Sequence, residues 1–415
     1  MRFGEKLRYF RNERQVSLSG LQEATYFSKS YLSRVERGLR NPERLLAELA
    51  DQALDANGQL VAAWIRDYEN VPPMLEARSG GEATKRRAFL KNATLAAGVG
   101  LTDVAGQPEQ SAATVARLRD ALVPDTRTSP VAPSRASLAR AMTRAQRDFA
   151  AAHYADLADD LADLIPLARI ASEPVELAIA AQVYHLATRT LIKLSASPYA
   201  WIAANQGEQA AHASGDLRAI GDARRDLVSL FHRAMEYGKA RDITTSAAKW
   251  LRPQLKGASA PAWGAYGALM STGAIAAARL EDRHSAMGML QEADEAAQHA
   301  PNIVLSHGHV ATYKIGVSIV LGDAGTAIEY AKGVTPDEIP TQERRASYYT
   351  GIAEAYTLWG KTDRAVRALL VAEKVAPTEI QRAGTRQVIT ELLHRDRHSK
   401  LSGLRALARR AGVSL

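Results

Sequence analysis

Cysteine is absent from all 415 residues. That excludes disulfides, cysteine-based zinc fingers, a thiol nucleophile and a thiol redox switch. Aromatic residues make up only 6% of the chain while alanine is abundant, which favours close-packed helices over the aromatic and β-branched surfaces of sheets. No apolar run approaches the roughly 20 residues of a membrane span, and no signal peptide is read at the N-terminus. A cytoplasmic protein with no membrane partner is the expectation. Phosphate-cradling GxxxxGK loops, GxSxG elbows and HExxH helices are also missing, so neither an enzyme nor a cofactor is expected. At this length the chain implies two or more domains. Its 53 Lys+Arg against 45 Asp+Glu give a net charge of +8, which permits binding to polyanions. The excess is steep at the start, where residues 1–44 hold ten Lys and Arg against five Glu.

Residues 17–38, SLSGLQEATYFSKSYLSRVERG, read as two short helices joined by a tight turn. Leu18 and Leu21 give the first helix an inward stripe that ends near Thr25, and Phe27 plugs the turn. Ser28 suits an N-cap, because its hydroxyl accepts from a backbone N–H of the first turn. Leu32 and Val35 face a core at the spacing of one helical face. Lys29, Ser30, Tyr31, Ser33, Arg34 and Arg37 are expected on the opposite face, with Arg40 just beyond, in positions suited to phosphates and base edges in a major groove. The run from Leu32 through Gly38 resembles the helix-turn-helix of the Cro/phage-repressor (XRE) family. The resemblance covers roughly residues 3–66 and implies a five-helix DNA-binding unit, with Arg11 and Glu36 as a structural ion pair between its first and third helices. Two positions depart from that family's pattern. Leu18 stands where a phosphate-touching glutamine is common, and Tyr26 where the turn usually has a small residue.

The domains are read as 1–70, helix-turn-helix; 71–136, a linker rich in Pro, Gly, Ser and Thr with a helix near 111–122; and 137–415, a helical repeat body. Lys85-Arg86-Arg87 before an apolar run resembles a twin-arginine export signal, but it follows a complete unit and reads as a basic turn with a short apolar helix. Within the body, the segment from Tyr349 to Pro377 places Tyr349, Ile352, Ala353 and Tyr356 on one helix. Gly360 follows at a turn, then Ala365, Leu369 and Ala372 on a second helix. This order resembles the tetratricopeptide signature. Ala286, Ala327 and Ala365 recur at steps of 41 and 38 residues, and Gly322 matches Gly360. Another copy is read with Gly238 at the turn, then Ala247 and Trp250. About six degenerate helix pairs are expected, capped by a helix near 385–393 and the stretch ending Ala408-Arg409-Arg410. The fold class is therefore all-α, a helix-turn-helix domain followed by an α-solenoid of tetratricopeptide-like pairs with a concave inner surface.

No constellation of residues argues for catalysis. Asp156, Asp159, Asp160 and Asp163 read as a solvated acidic face. His307 and His309 lack a third ligand nearby, so no metal site is expected. Of the aromatic cluster Tyr348, Tyr349, Tyr356 and Trp359, most reads as repeat core, with Tyr348 turned toward the groove. Candidate ligand contacts on the first helix of each pair are Asn205, His232, Tyr266, Tyr313 and Tyr348. A Cro-type head on such a body resembles the peptide-pheromone-sensing regulators of Gram-positive bacteria and a large set of actinobacterial regulators. That resemblance implies a homodimer on a palindromic DNA operator, its repeat domain sensing a peptide or small molecule. The alternative is a protein-interaction scaffold, or an antitoxin-like regulator controlled by a partner protein.

Overall fold

The computed structural model describes residues 1, 3–25, 27, 29–38, 42, 44–69, 109–123, 135–300, 307–339, 341–396 and 401–413. Every regular element among them is a helix. The chain divides into two compact units, Met1–Lys91 and Asn92–Leu415, each taken by itself here.

The first unit holds α1 (Phe3–Glu13), α2 (Leu18–Thr25), α3 (Lys29–Glu36), α4 (Arg44–Ala53) and α5 (Gln59–Trp64), closed by a π-helical turn at Ile65–Glu69. One apolar face from each helix meets in a core of Phe3, Leu7, Leu21, Leu32, Leu46 and Leu60. Phe27 fills the turn between α2 and α3, as expected, and is fully buried. Gly4 brings α1 against the end of α3, since a Cβ there would run into the Val35 carbonyl oxygen. The start of α5 is held by Asp51, whose carboxylate accepts from the N–H groups of Gly58 and Leu60 at 2.7 Å. Such a carboxylate satisfies donors that a helix start leaves unpaired and complements its positive end.

The second unit opens with α6 (Glu109–Leu122), close to the helix expected at 111–122. Six antiparallel pairs follow: α7 (Arg135–Ala151) with α8 (Tyr154–Arg169), α9 (Pro174–Lys193) with α10 (Ser197–Ser214), α11 (Leu217–Arg233) with α12 (Tyr237–Leu251), α13 (Ala260–Arg279) with α14 (Arg283–His299), α15 (His307–Val320) with α16 (Ala324–Lys332), and α17 (Gln342–Trp359) with α18 (Thr362–Val375). Two closing helices, α19 (Ala383–Arg395) and α20 (Leu404–Arg410), pack on Leu369 and Val366 of the last pair. Of the expected linker, 71–136, residues 71–108 and 124–134 lie outside the described residues, the twin-arginine-like run at 85–101 among them, while 109–123 hold α6 and Val123 and 135–136 begin α7.

The repeat is written more plainly in the backbone than in the residues. Each pair turns on one residue in the left-handed region: Ala152, Ser195, Met235, Glu281, Gly322 and Gly360, 38 to 46 residues apart, with φ between 57° and 78°. At each, the turn residue and its successor donate to carbonyls three and five residues back, as Met235 does to His232 and Glu236 to Phe231. This is the Schellman closure. Gly238, expected at a turn, instead lies inside α12. A side chain in left-handed backbone costs about 1–2 kcal/mol, and Met235 is 63% exposed, so it contributes little packing in return. Met235→Gly is therefore expected to stabilise the second unit by about 0.5–1 kcal/mol, the gain reduced by glycine's greater freedom when unfolded. A rise in the urea midpoint at unchanged slope checks it.

The first helices of the pairs pack in order, α7 on α9, α9 on α11, α11 on α13, α13 on α15 and α15 on α17, and then α17 packs back on α7. The array thus closes on itself. The junction is polar and buried. Lys193 at the end of α9 is ion-paired to Glu343 at the start of α17 and to Glu379 at 3.3 Å. Tyr154 donates to Glu379 at 2.6 Å and Arg382 to the same carboxylate at 3.0 Å. An open concave surface was expected. Small residues let the inner helices approach closely, as where Gly221 of α11 meets Ala265 of α13, and the inner faces become a buried interior.

Candidate functional site

Helix α3 begins where Gln22 of α2 accepts from the Lys29 N–H at 3.0 Å, and the Lys29 ammonium lies 3.5 Å from the Ser19 hydroxyl. It ends at Gly38, whose left-handed φ of 68° and N–H bond to the Val35 carbonyl close the helix. Leu32 and Val35 bury its inner face. Its orientation is fixed by Arg11 of α1, which grips Glu36 at both ends of the carboxylate, Nε to Oε1 at 2.6 Å and Nη2 to Oε2 at 3.0 Å. The third reach of the same guanidinium is to the Val16 carbonyl at 3.1 Å. Hydrogen bonding to Glu36 holds the Arg11 pKa above its ordinary value against the opposing effect of burial. The expected structural ion pair is present.

Four of the eight expected DNA contacts have described side chains on the outer side of the motif or its edge. Lys29 and Arg37 are exposed, while Ser33 and Arg34 are half-buried. Arg37 donates from Nε to the Ser33 carbonyl at 3.1 Å, so its guanidinium lies along α3. Tyr31 is placed otherwise. Only 2% exposed, it stacks on Phe27 with ring centroids 5.0 Å apart. It shares the inner face because it precedes Val35 by one helical turn. Ser28 and Arg40 lie outside the described residues, as does the side chain of Ser30. The residue missed was Gln22, whose position one turn before the motif's turn is the signal for a cap shared between two helices.

In the second unit the five candidate ligand residues separate. Asn205 lies on α10, a second helix, and is exposed. Tyr266 donates to Glu292 of α14 at 2.6 Å, and Tyr348 to the Ala331 carbonyl at 2.8 Å, so both hydroxyls are engaged between neighbouring helices. Tyr348 is packed and Trp359 is 44% exposed, the reverse of what was expected. His232 is fully buried with both ring nitrogens lacking hydrogen bonds, and burial, aided by Arg279 and Arg233, pushes its pKa down to about 3. The ring is neutral at physiological pH. Tyr313 alone of the five sits in a polar cluster of the interior. Its hydroxyl is 3.4 Å from that of Thr272 on α13, and the Arg225 guanidinium on α11 acts on it. Arg189 on α9 and Arg344 on α17 also act on it. Burial raises the Tyr313 pKa, but the three guanidiniums and the Thr272 hydrogen bond bring it down to about 7.

The interior arginines were missed because helical periodicity counts arginine as surface. His185, Arg189 and Lys193 nevertheless recur every fourth residue on an otherwise apolar helix, and a charged stripe on a buried helix is the usable signal. The acidic residues of α8 behave as expected: Asp156, Asp159 and Asp163 are exposed, and Asp160 pairs with Arg144 at 3.0 Å. No group of three or more His, Asp or Glu able to hold a metal ion occurs among the described residues. None of the helices there is long and apolar enough to cross a membrane.

Residues 2–64 match the helix-turn-helix domain family. The N-terminal unit is a helix-turn-helix domain. A comparison with curated proteins gives no match. Among solved structures, the chain resembles one in the crystal structure of the APC/C hetero-tetramer Cut9–Hcn1, at 13% identity over 98% of this chain and 96% of that one. The TM-score is 0.23, too low to carry an argument.

Proposed function

We propose that this chain is a sequence-specific DNA-binding transcriptional regulator of the Cro/phage-repressor (XRE) type, as in actinobacterial regulators. The helix-turn-helix domain reads duplex DNA, and the helical body dimerises and receives a peptide or small-molecule signal. The observation that carries the reading is the build of α3. Its inner face is locked by Leu32, Val35 and the Arg11–Glu36 pair, and its outer side presents Lys29, Ser33, Arg34 and Arg37. Cations and short hydroxyls there suit phosphates and base edges. One such helix reads one half-site. A homodimer places two of them about 34–36 Å apart on successive turns of a palindromic operator. A signal acts on this arrangement only by favouring one dimer geometry over another.

Arg34→Ala tests the reading. If Arg34 reads a base, the variant loses roughly 1–3 kcal/mol on the selected site and its preference relaxes at one position. If it neutralises a phosphate, all sequences weaken alike and the salt slope falls by about one. Binding isotherms at several salt concentrations separate the two. Identical isotherms for variant and wild type remove Arg34 from the interface.

A further inference from the structure

Within the closed ring, two guanidiniums are buried without a carboxylate of their own. Arg225 is 2% and Arg189 3% exposed. Neither has an ion-pair partner within 4.0 Å among the described residues, and Nε and Nη2 of Arg225 make no hydrogen bond. The polar contact of Arg189 is a 3.5 Å reach to the Ser229 hydroxyl. Asp222 and Asp226 act on Arg225 through space, and Asp226 on Arg189, but the contacts of the interior carboxylates go to other groups. Asp226 Oδ2 accepts from His185 Nδ1 at 2.8 Å, with its other oxygen unbonded. Asp222 faces Arg218 at 3.6 Å and His185 at 4.0 Å, and Glu343 pairs with Lys193 and with Arg344 at 3.5 Å. Removing one unpaired charge from water costs several kcal/mol, and two like charges side by side add to it. Two hydroxyls able to complete an oxyanion's coordination meet in this cluster, those of Thr272 and Tyr313, 3.4 Å apart and both buried.

We infer that Arg189 and Arg225, joined by Arg344 and Tyr313, form a seat for the oxyanion of a small ligand, a carboxylate or a phosphoryl group, inside the ring of inner helices. This deepens the proposed sensor role and rests on it. The four side chains come from α9, α11, α15 and α17, so an anion bridging them ties together four of the six inner helices. In its absence the Tyr313 phenol is the internal substitute. Its pKa of about 7, set by the combined field of the arginines against burial, leaves a substantial fraction as phenolate at neutral pH. A bound oxyanion adds a negative charge beside Tyr313 and raises that pKa again.

The test uses the full chain at constant ionic strength, titrated with inorganic phosphate or with acetate against a chloride control. Thermal stability and tyrosinate absorption are recorded near neutral pH. The expected result is a saturable rise in Tm with at least one oxyanion, weakened roughly tenfold or more in Arg225→Met. Loss of a tyrosinate signal should accompany it, a signal absent from Tyr313→Phe. A response to phosphate alone marks a phosphoryl ligand, to acetate alone a carboxylate. The seat is overturned if neither oxyanion acts beyond chloride, or if Arg225→Met responds as wild type does. Should Arg225→Met fail to fold by its helical circular dichroism, the tyrosinate readout decides alone. DNA selectivity, read separately on the same preparation, reports on the regulator role independently of the seat.

Discussion

Glu379→Ala is expected to destabilise the second unit by about 3–5 kcal/mol, the largest effect of any single change considered. Three groups converge on this carboxylate: Lys193 at 3.3 Å, Arg382 at 3.0 Å and the Tyr154 hydroxyl at 2.6 Å. All are deeply buried. Removing the acceptor leaves a lysine sharing one remaining carboxylate, Glu343, and an arginine beside it. Burial and the repulsion of Arg382 already lower the Lys193 pKa, with Glu343 and Glu379 holding it up. Loss of Glu379 lowers it further, and the ammonium gives up its proton at a lower pH. Because these contacts join the first two pairs to the last, the damage falls on closure of the ring. Hydrogen exchange should then speed up at α7, α9 and α17 together. Replacing the group as a whole, Lys193→Met with Glu343→Leu and Glu379→Leu, should recover much of the loss, since an apolar substitute for a buried ion cluster is often neutral or better. Loss confined to α19 and α20 would contradict the closed ring.

The second large effect belongs to the first unit. Glu36→Ala is expected to cost about 3 kcal/mol, because it strands the Arg11 guanidinium with the Val16 carbonyl as its remaining partner. A domain this small holds only a few kcal/mol of stability in all. The helix-turn-helix unit should therefore be largely unfolded at growth temperature and DNA binding lost, while the helical body persists. Urea denaturation followed by circular dichroism should show an early transition split from the main one. Arg11→Met combined with Glu36→Leu should restore much of the folded head. If Glu36→Ala left both transitions in place, the pair would be incidental to the placement of α3.

Much of this was legible beforehand, for identifiable physical reasons. The run Leu32 to Gly38 carries its inner face at helical spacing and its stop signal in a left-handed glycine, so motif and geometry agree. Tyr31 was misplaced because its polar hydroxyl outweighed its position one turn before Val35. Six helix pairs were expected and six are described, yet only Gly322 and Gly360 announce their turns. At the other four, Ala152, Ser195, Met235 and Glu281 adopt the same left-handed backbone, because tertiary packing overrides their intrinsic preference, and no residue type reveals it. Ring closure depends on contacts between residues 150 to 226 positions apart, beyond the reach of any local pattern. The same closure explains why Tyr313, read as a groove residue, lies in a buried polar interior, and why the arginines around it were passed over.

The central claim is that the N-terminal unit reads a DNA sequence and that two copies do so together. Selection of bound sequences from random duplex DNA by the full-length protein tests it most directly, with Arg34→Ala as control. The account predicts enrichment of a palindrome whose half-sites lie about one helical turn apart or a multiple of it, and its loss or relaxation in the variant. Enrichment of no sequence by a folded, monodisperse protein, or identical enrichment by the variant, would contradict it.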